Sequence, residues 1–328
     1  MLFTNKHTKI LNLLDVQLLN KLVKVPHIFS FMFIIAMIEE RNIFEMTNMP
    51  LFFFMPLLHN MLVEISEEFL SSEEFQNLLK SNETFDVLVL EQFSTESLHG
   101  IGYHYKVPVI AFSTIGVNNW NNRLVGNPYM PSYLPQVMLN YKSNMDFFQR
   151  VYNSMLTLFQ ELYERCYVLP KHNAILHKHF PDAPHLDDLI YNTSLVLLNS
   201  HISTNEPYPL VPNMIQIGGF HIHPLKKLPE DLQQLLDDAK EGAIYFSLGS
   251  NAKSKDMPIE KRQVILNVFS RLKIKVFWKW ESDELPGKPP NVIVRKWMPQ
   301  QEILGKSKFL KSFRSSLEKY LSKSYLWD

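Results

Sequence analysis

Seven short apolar runs, separated by helical patterns, constrain the fold of this chain more than any other feature. The runs are rich in Val, Ile, Leu and aromatic residues, and several lack the polar alternation of a strand with one wet face. They occupy residues 87–90, 107–112, 195–198, 214–217, 243–248, 275–280 and 292–297. Apolar strands that alternate with helices predict parallel α/β sheets.

Three helices between these runs are predicted by their apolar spacing and their ends. Residues 145–167 carry apolar side chains at helical spacing, and residues 229–240 and 258–272 each begin with a proline. We therefore predict helices over these three stretches, which complete the alternation of strand and helix.

A domain boundary is predicted at Gly218-Gly219, which a proline- and lysine-containing stretch follows. The two parts would be α/β domains of residues 1–217 and 218 onward. A ligand is expected in the cleft at the carboxyl ends of their strands.

Composition excludes several classes of protein. The chain has 328 residues with 33 basic and 33 acidic side chains, so it lacks the positive field of a typical nucleic-acid binder. A single cysteine, Cys166, excludes an intrachain disulfide, and its helical setting predicts a small core residue. The pairs His221/His223 and His177/His179 have no third ligand clearly placed beside them, so we predict no metal site.

Two apolar runs near the N-terminus are too short to predict a membrane-spanning helix. Residues 28–38 and 50–58 are interpreted as buried strands or helices, although the basic flank of the first resembles a signal-peptide core. Asn-x-Ser/Thr triplets at Asn82 and Asn192 would matter only in the secretory pathway.

Three positions near strand ends have side chains suited to a phosphorylated ligand. Ser250 follows the run 243–248 and a glycine, which lets the backbone approach a ligand closely. Lys279 ends another strand, and Trp297 precedes Met-Pro-Gln, where a turn would present its flat face for stacking on a base. The alternatives are an ordinary strand-to-helix turn at Ser250, a solvated lysine and a core tryptophan.

The sequence resembles the UDP-glycosyltransferases, and specifically the insect members of that family, from about residue 85 to residue 304. The similar segments are FDVLVLEQF, VGNPYMPSYLP, FFQRV, SLVLLNSH, VPNMIQIGG, EGAIYFSLGSN, LPGKP and VIVRKWMPQQEIL. The resemblance implies a GT-B-like pair of facing Rossmann-type domains, one for a lipophilic acceptor and one for a UDP-sugar. It also implies the endoplasmic reticulum as compartment, although no clear signal peptide or membrane span is present in this sequence.

By the same resemblance, Trp297 would stack on uracil and Gln300 would help hold the nucleoside. Ser250 and Lys279 would contact the diphosphate, and Glu91 would be the catalytic carboxylate that orients a histidine base. The reaction implied is transfer of glucose or glucuronate from UDP-glucose or UDP-glucuronate, with inversion. It needs no metal and no cofactor besides the sugar donor.

This chain departs from the family pattern at both ends. Residues 1–40 match neither the first strand nor its histidine, and the rest of the donor signature is missing after Leu304. We therefore expect an acceptor domain of residues 1–217 without its first unit, an incomplete donor domain of residues 218–305 with an open sheet edge, and a divergent basic tail of residues 306–328.

The tail has apolar residues at four-residue spacing, with lysines and an arginine between them. This spacing predicts a basic amphipathic helix, suited to an anionic membrane, or else a stretch with no selected role. Two hypotheses follow. The chain is a transferase that acts on a small lipophilic acceptor, or it is a non-catalytic relative that partners intact transferases as a homo- or hetero-oligomer or has no function.

Overall fold

The computed structural model describes residues 10–12, 49–203, 205–249, 253–305 and 310–314. The chain divides into two compact units on either side of the bond between Gly218 and Gly219. Each unit contains one parallel sheet, as the sequence predicts.

The first sheet has five parallel strands in chain order, β1-β2-β3-β4-β5. They are β1 Ile10–Asn12, β2 Val87–Glu91, β3 Val109–Ser113, β4 Leu195–Leu198 and β5 Met214–Gln216. Strands β2 to β5 lie within or next to the runs predicted from the sequence.

The described residues of this unit form seven α-helices: α1 Leu51–Ser71, α2 Glu73–Leu79, α3 His99–Tyr105, α4 Asn119–Leu124, α5 Phe147–Tyr163, α6 Leu169–His179 and α7 Leu186–Ile190. The apolar run 50–58 is therefore the start of a long helix, whereas the run 28–38 lies outside the described residues. Helix α5 begins with a capping box between Asp146 and Gln149 and continues through a π-helical turn, Glu164–Val168, into α6. In the described part of the chain, no helix is both long and apolar enough to cross a membrane.

The second sheet has the order β8-β7-β6-β9, again all parallel. Its strands are β6 Ala243–Ser247, β7 Lys275–Lys279, β8 Val292–Arg295 and β9 Leu310–Arg314, and its helices are α8 Glu230–Asp237, α9 Ile259–Ser270 and α10 Gln300–Gly305. All five residues of β6 are buried, as its unbroken apolar run predicts.

Strand β9 corrects two expectations about the end of the chain. Residues 310–314 form a strand that pairs with β6 over five positions, from Ala243 with Leu310 to Ser247 with Arg314. The predicted amphipathic helix is therefore wrong for these residues, and the edge of β6 is not open. A four-residue apolar spacing also fits a strand, and the unpaired backbone groups of β6 favour pairing over a helix.

Both faces of the second sheet are covered by side chains. One layer packs Phe246, Trp278 and Trp280 against Phe269 of α9, with ring centroids 5.1–5.6 Å apart in edge-to-face contacts. The opposite layer includes Phe277 together with residues of α8 and α10. This core holds in place the carboxyl ends of β7 and β8, beside which Lys279 and Trp297 lie.

Helix α5 buries a mainly polar face, on which Leu156 is the fully buried apolar residue, and leaves its apolar stripe exposed. Asn153, Gln160 and the following Glu164 are almost fully buried, at 0%, 1% and 2% exposure. They are satisfied there, since Asn153 Nδ2 donates to the carbonyls of Pro131 and Leu134 at 2.7 and 2.8 Å. The apolar spacing that predicts this helix therefore marks an exposed stripe.

Cys166, which the sequence predicts to be a small core residue, is exposed. It lies in the π-helical turn after α5. The prediction of a buried cysteine is wrong because the helix presents the opposite face to the core.

Candidate functional site

Glu91 ends β2 at the carboxyl edge of the first sheet. Its Oε1 accepts a hydrogen bond of 3.1 Å from the Thr114 hydroxyl, and its backbone carbonyl accepts one of 2.9 Å from the Thr95 hydroxyl. Burial raises the pKa of the Glu91 carboxyl to about 7, and the Thr114 bond opposes part of that rise. A carboxyl that titrates near neutral pH can exchange a proton under physiological conditions.

The segment that follows Glu91 is buried throughout and held in a fixed shape. Ser94 has a φ of 54°, in the left-handed region that a residue with a side chain rarely adopts. Its Oγ lies 2.8 Å from Nδ1 of His59, which projects from α1. This contact offsets the backbone cost of about 1 kcal/mol or more at Ser94.

A buried ionic cluster, made of His59, Glu96, Arg123, Glu164 and His172, lies behind this segment. Arg123 contacts Glu164 at 3.1 Å and Glu96 at 3.4 Å. His59 Nε2 lies 3.3 Å from Glu164, and His172 Nε2 lies 3.4 Å from Glu96. The cluster joins α1, α4, the π-helical turn and α6 to the segment after Glu91.

Charges within the cluster compensate for its burial. Burial by itself would raise the pKa of Glu164, but the hydrogen bond and charge of His59 and the charge of Arg123 hold that pKa below its usual value. Burial lowers the pKa of His172 against the opposing effect of Glu96. The sequence alone does not reveal this cluster, because its members lie up to 113 positions apart. The one local signal is the regular spacing of polar residues along α5 and into Glu164, which indicates a buried polar face.

On the second sheet, Lys279 and Trp297 lie side by side. Lys279 ends β7 and is 8% exposed, and its Nζ donates a 2.7 Å hydrogen bond to the Gly249 carbonyl. The same Nζ lies 3.4 Å from Glu281 and 5.7 Å from the centre of the Trp297 ring. A cation therefore stands beside an indole at the carboxyl edge of the sheet, where α/β proteins bind ligands.

Trp297 differs from the other described tryptophans by its exposure. It is 73% exposed, whereas Trp120, Trp278 and Trp280 are at most 2% exposed. The alternative of a core tryptophan therefore does not hold, and the indole has a face open for stacking.

The remaining predicted donor residues are placed as follows. Gln300 is half-buried and begins α10, three positions after Trp297. Gly249 has a φ of 89°, which only glycine adopts without strain. Ser250, directly after it, lies outside the described residues.

The histidine pairs have partners within the protein. His179 Nε2 lies 3.3 Å from Glu67, His177 Nδ1 lies 2.9 Å from the Asn173 carbonyl, and His223 contacts Gln301 at 3.0 Å. Among the residues that the structure describes, no three His, Cys, Asp or Glu side chains converge on a possible metal position.

Comparison with known proteins gives one family. The sequence pattern described as UDP-glucoronosyl and UDP-glucosyl transferase matches residues 30–313. The match extends beyond the 85–304 expected from the sequence at both ends, and it reaches into β9.

Curated relatives agree with this match. UDP-glycosyltransferase UGT5 of Dactylopius coccus is 34% identical over 248 residues, which are 73% of this chain and 46% of the relative. UDP-glucosyltransferase 2 of the same insect is 34% identical over 70% of this chain and 45% of its own length. UDP-glucuronosyltransferase 2B15 of Rattus norvegicus is 29% identical over 55% of this chain and 34% of its own length. The chain thus spans about half the length of the insect relatives.

Solved structures of similar fold include the spinosyn forosaminyltransferase SpnP, with a TM-score of 0.46 and 16% identity over 77% of this chain and 58% of that one. Another is Medicago truncatula UGT71G1 complexed with UDP-glucose, with a TM-score of 0.40 and 16% identity over 82% of this chain and 59% of that one.

Proposed function

Because this chain belongs to the UDP-glucuronosyl and UDP-glucosyl transferase family, we propose that it binds a UDP-sugar and transfers the hexose to a small lipophilic acceptor. The observation that carries this proposal is the exposed indole of Trp297 beside the Lys279 ammonium. A flat apolar face next to a cation suits a nucleotide, whose base stacks while its phosphates meet the charge.

In this proposal Trp297 stacks on uracil, and Gln300 holds the nucleoside. Ser250 and Lys279 contact the diphosphate. Since Lys279 Nζ donates a hydrogen bond to the Gly249 carbonyl, a diphosphate bound by Lys279 must replace or share that bond. Base stacking on an aromatic ring contributes about 1–3 kcal/mol, so Trp297 would supply a substantial part of the affinity.

On the acceptor side, we assign Glu91 the role of the carboxylate that assists proton removal. The acceptor oxygen would form a bond to the anomeric carbon from the face opposite UDP, the bond from that carbon to the diphosphate would break, and the acceptor proton would pass to a base. A carboxyl with a pKa of about 7 suits such a role, because it is partly ionised at neutral pH.

The donor site is tested by calorimetric titration of UDP-glucose and UDP-glucuronate into the full chain. We expect dissociation constants below about 1 mM, which corresponds to −4 kcal/mol, and at least a tenfold weakening in Trp297→Leu and Lys279→Gln. Lys296→Gln is the matched control, because it removes an exposed charge next to Trp297 that pairs with Asp283 instead. Equal affinity in all four proteins would contradict the proposed site.

A second candidate function, donor binding without transfer, is favoured by one observation. In the described part of the first unit, the buried imidazoles of His59 and His172 face Glu164 and Glu96, whereas the contact found for the Glu91 carboxyl is Thr114. Acceptor-dependent release of UDP with a phenolic acceptor distinguishes the two functions. Release that falls at least a hundredfold in Glu91→Ala supports transfer, and donor binding with no release supports the second candidate.

We also propose the endoplasmic reticulum as the compartment, on the family resemblance. Asn82 and Asn192, the asparagines of the two glycosylation triplets, are both exposed. Expression in insect cells should then give a glycosidase-sensitive mass increase that the double variant Asn82→Gln/Asn192→Gln lacks. A chain of unmodified mass in wild type would count against this compartment.

A further inference from the structure

Glu281 places a carboxylate beside the cation of the candidate donor site. It follows the end of β7 by two positions, and its Oε1 lies 3.4 Å from Lys279 Nζ. The two side chains are only 15% and 9% exposed, respectively. The other carboxylate oxygen, Oε2, accepts a 3.3 Å hydrogen bond from the backbone N–H of Lys255, in the loop between β6 and α9. The carboxylate is therefore held in place from two sides.

The oxygen of Glu281 that faces Lys279 is unusual in its bonding. Oε1 is buried, and among the described residues it has no hydrogen-bond partner. Lys279 Nζ gives its 2.7 Å hydrogen bond to the Gly249 carbonyl instead. A buried carboxylate oxygen without a hydrogen bond is uncommon in folded proteins, and an adjacent cation compensates for it here. The role of Glu281 is thus electrostatic on the side of Lys279.

An anion bound by Lys279 would also interact with Glu281. A phosphate oxygen that accepts from Nζ at about 2.8 Å lies within roughly 6 Å of Glu281 Oε1. The carboxylate then repels the phosphate and competes with it for the same ammonium. Because Lys279 and Glu281 together carry no net charge, each further negative charge on the ligand is attracted less than a lone lysine would attract it.

The two basic residues before Trp297 have acidic partners of their own. Lys296 Nζ lies 2.7 Å from Asp283, and Arg295 contacts Asp231. Their charges are therefore also balanced within the protein. The small net charge around Lys279 makes the site sensitive to the charge of its ligand.

We propose that Glu281 is a specificity-determining residue, which weakens the binding of UDP relative to that of the UDP-sugar. The inference rests on the proposed function, because it takes Lys279 as the diphosphate partner. Transfer breaks the bond between the anomeric carbon and the diphosphate, and its electron pair stays on the diphosphate oxygen. UDP therefore carries one more negative charge than the same diphosphate in the donor once its terminal phosphate is ionised. A carboxylate beside the ammonium penalises that additional charge and favours exchange of UDP for fresh donor.

A purely structural role for Glu281 predicts a different outcome. If the carboxylate served only to hold the loop at Lys255, its loss would weaken every nucleotide alike and lower the melting temperature. Glu281→Gln separates the two roles, because the amide keeps an oxygen that can accept from the Lys255 N–H and removes only the charge.

The test is calorimetric titration of uridine, UDP-glucose and UDP into the full chain at about pH 7.5, where the terminal phosphate is largely ionised. In Glu281→Gln we expect uridine to bind within about twofold of wild type, UDP-glucose to bind about threefold more tightly, and UDP at least about tenfold more tightly. Glu281→Asp keeps the charge and should preserve the wild-type ratio of UDP to UDP-glucose affinity within about threefold.

Glu284→Gln is the matched control, since it makes the same change at an exposed position in the same loop and should leave all three affinities unchanged. Unchanged melting temperatures show that the variants fold, and Glu281→Ser, a second neutral replacement, should shift the ratio in the same direction as Glu281→Gln. Equal changes in UDP and UDP-glucose affinity, while wild-type binding still depends on Trp297 and Lys279, overturn this inference alone. A wild type that binds none of the three ligands overturns the proposed donor site as well.

Discussion

Because the pKa of the Glu91 carboxyl is raised in the folded chain, this residue should lower the stability of the first unit at neutral pH. The carboxyl shifts from an ordinary value of 4.5 to about 7 in the folded chain. Below pH 4.5 the group is neutral in both states, so it has no differential effect. As the pH rises from 4.5 to 7, the unfolded chain ionises and gains free energy that the folded chain does not, so stability falls.

The size of the effect follows from the shift. At about 1.4 kcal/mol per pKa unit, the shift gives a ceiling of about 3 kcal/mol, and partial solvent contact of the half-buried residue lowers the expected value to about 1–3 kcal/mol. Glu91→Gln keeps the shape and an oxygen that can accept from Thr114, but it cannot ionise. The variant should therefore match wild type near pH 4.5 and be more stable by this amount at pH 8.

Hydrogen exchange measured by mass spectrometry reports the opening free energy of peptides from β2 and β3 at each pH, and so separates the first unit from the second. Glu68→Gln, at an exposed position of α1, is the control and should show no pH-dependent difference. A Glu91→Gln effect that is the same at pH 5 and pH 8, or that favours wild type at pH 8, would refute the assignment of a raised pKa.

Three further predictions concern stability. Arg123→Met should cost about 3–5 kcal/mol in urea unfolding, because it leaves two buried glutamates without their cation. Burial lowers the pKa of His99 to about 4, so the free energy of unfolding should fall as the pH drops from 6.5 to 4. His99→Gln should remove up to about 3 kcal/mol of that pH dependence. Parallel pH profiles of stability in wild type and variant would contradict this prediction. Gly218→Ala should lower the melting temperature through a loss of about 1–3 kcal/mol, because a Cβ there would lie 2.7 Å from the Ser200 carbonyl oxygen; an unchanged melting temperature would show that the backbone relaxes.

The strands were predictable because a strand that is buried on both faces consists of a continuous run of apolar residues. The runs at 87–90 and 243–248 became β2 and β6 with bounds shifted by at most one residue. Residues 50–58 were ambiguous between strand and helix, because a short apolar run does not fix its own period. Helix α1 has 21 residues, because the helix continues from this apolar run into the more polar sequence that follows it.

The candidate site was predictable only in part. The positions of Lys279 and Trp297 at strand ends follow from the sequence, but their proximity and the exposure of the indole do not. The buried ionic cluster depends on groups that meet only after folding, and no local pattern marks Glu96 or His172. For helix α5, the apolar spacing predicts the helix correctly but not which of its faces is buried. The buried face depends on the residues that pack against the helix.

The pairing of β9 with β6 has a consequence for how the chain is made. Strand β6 ends at Ser247 and its second neighbour ends at Arg314, so 67 further residues must be synthesised before that edge is covered. At a translation rate of about 5–20 residues per second, strand β6, whose five residues are all buried in the folded chain, has unpaired backbone groups on one side for roughly 3 to 13 s. During that interval the nascent second unit is open to strand addition by other chains, and a chaperone that shields this edge would raise the yield of folded protein.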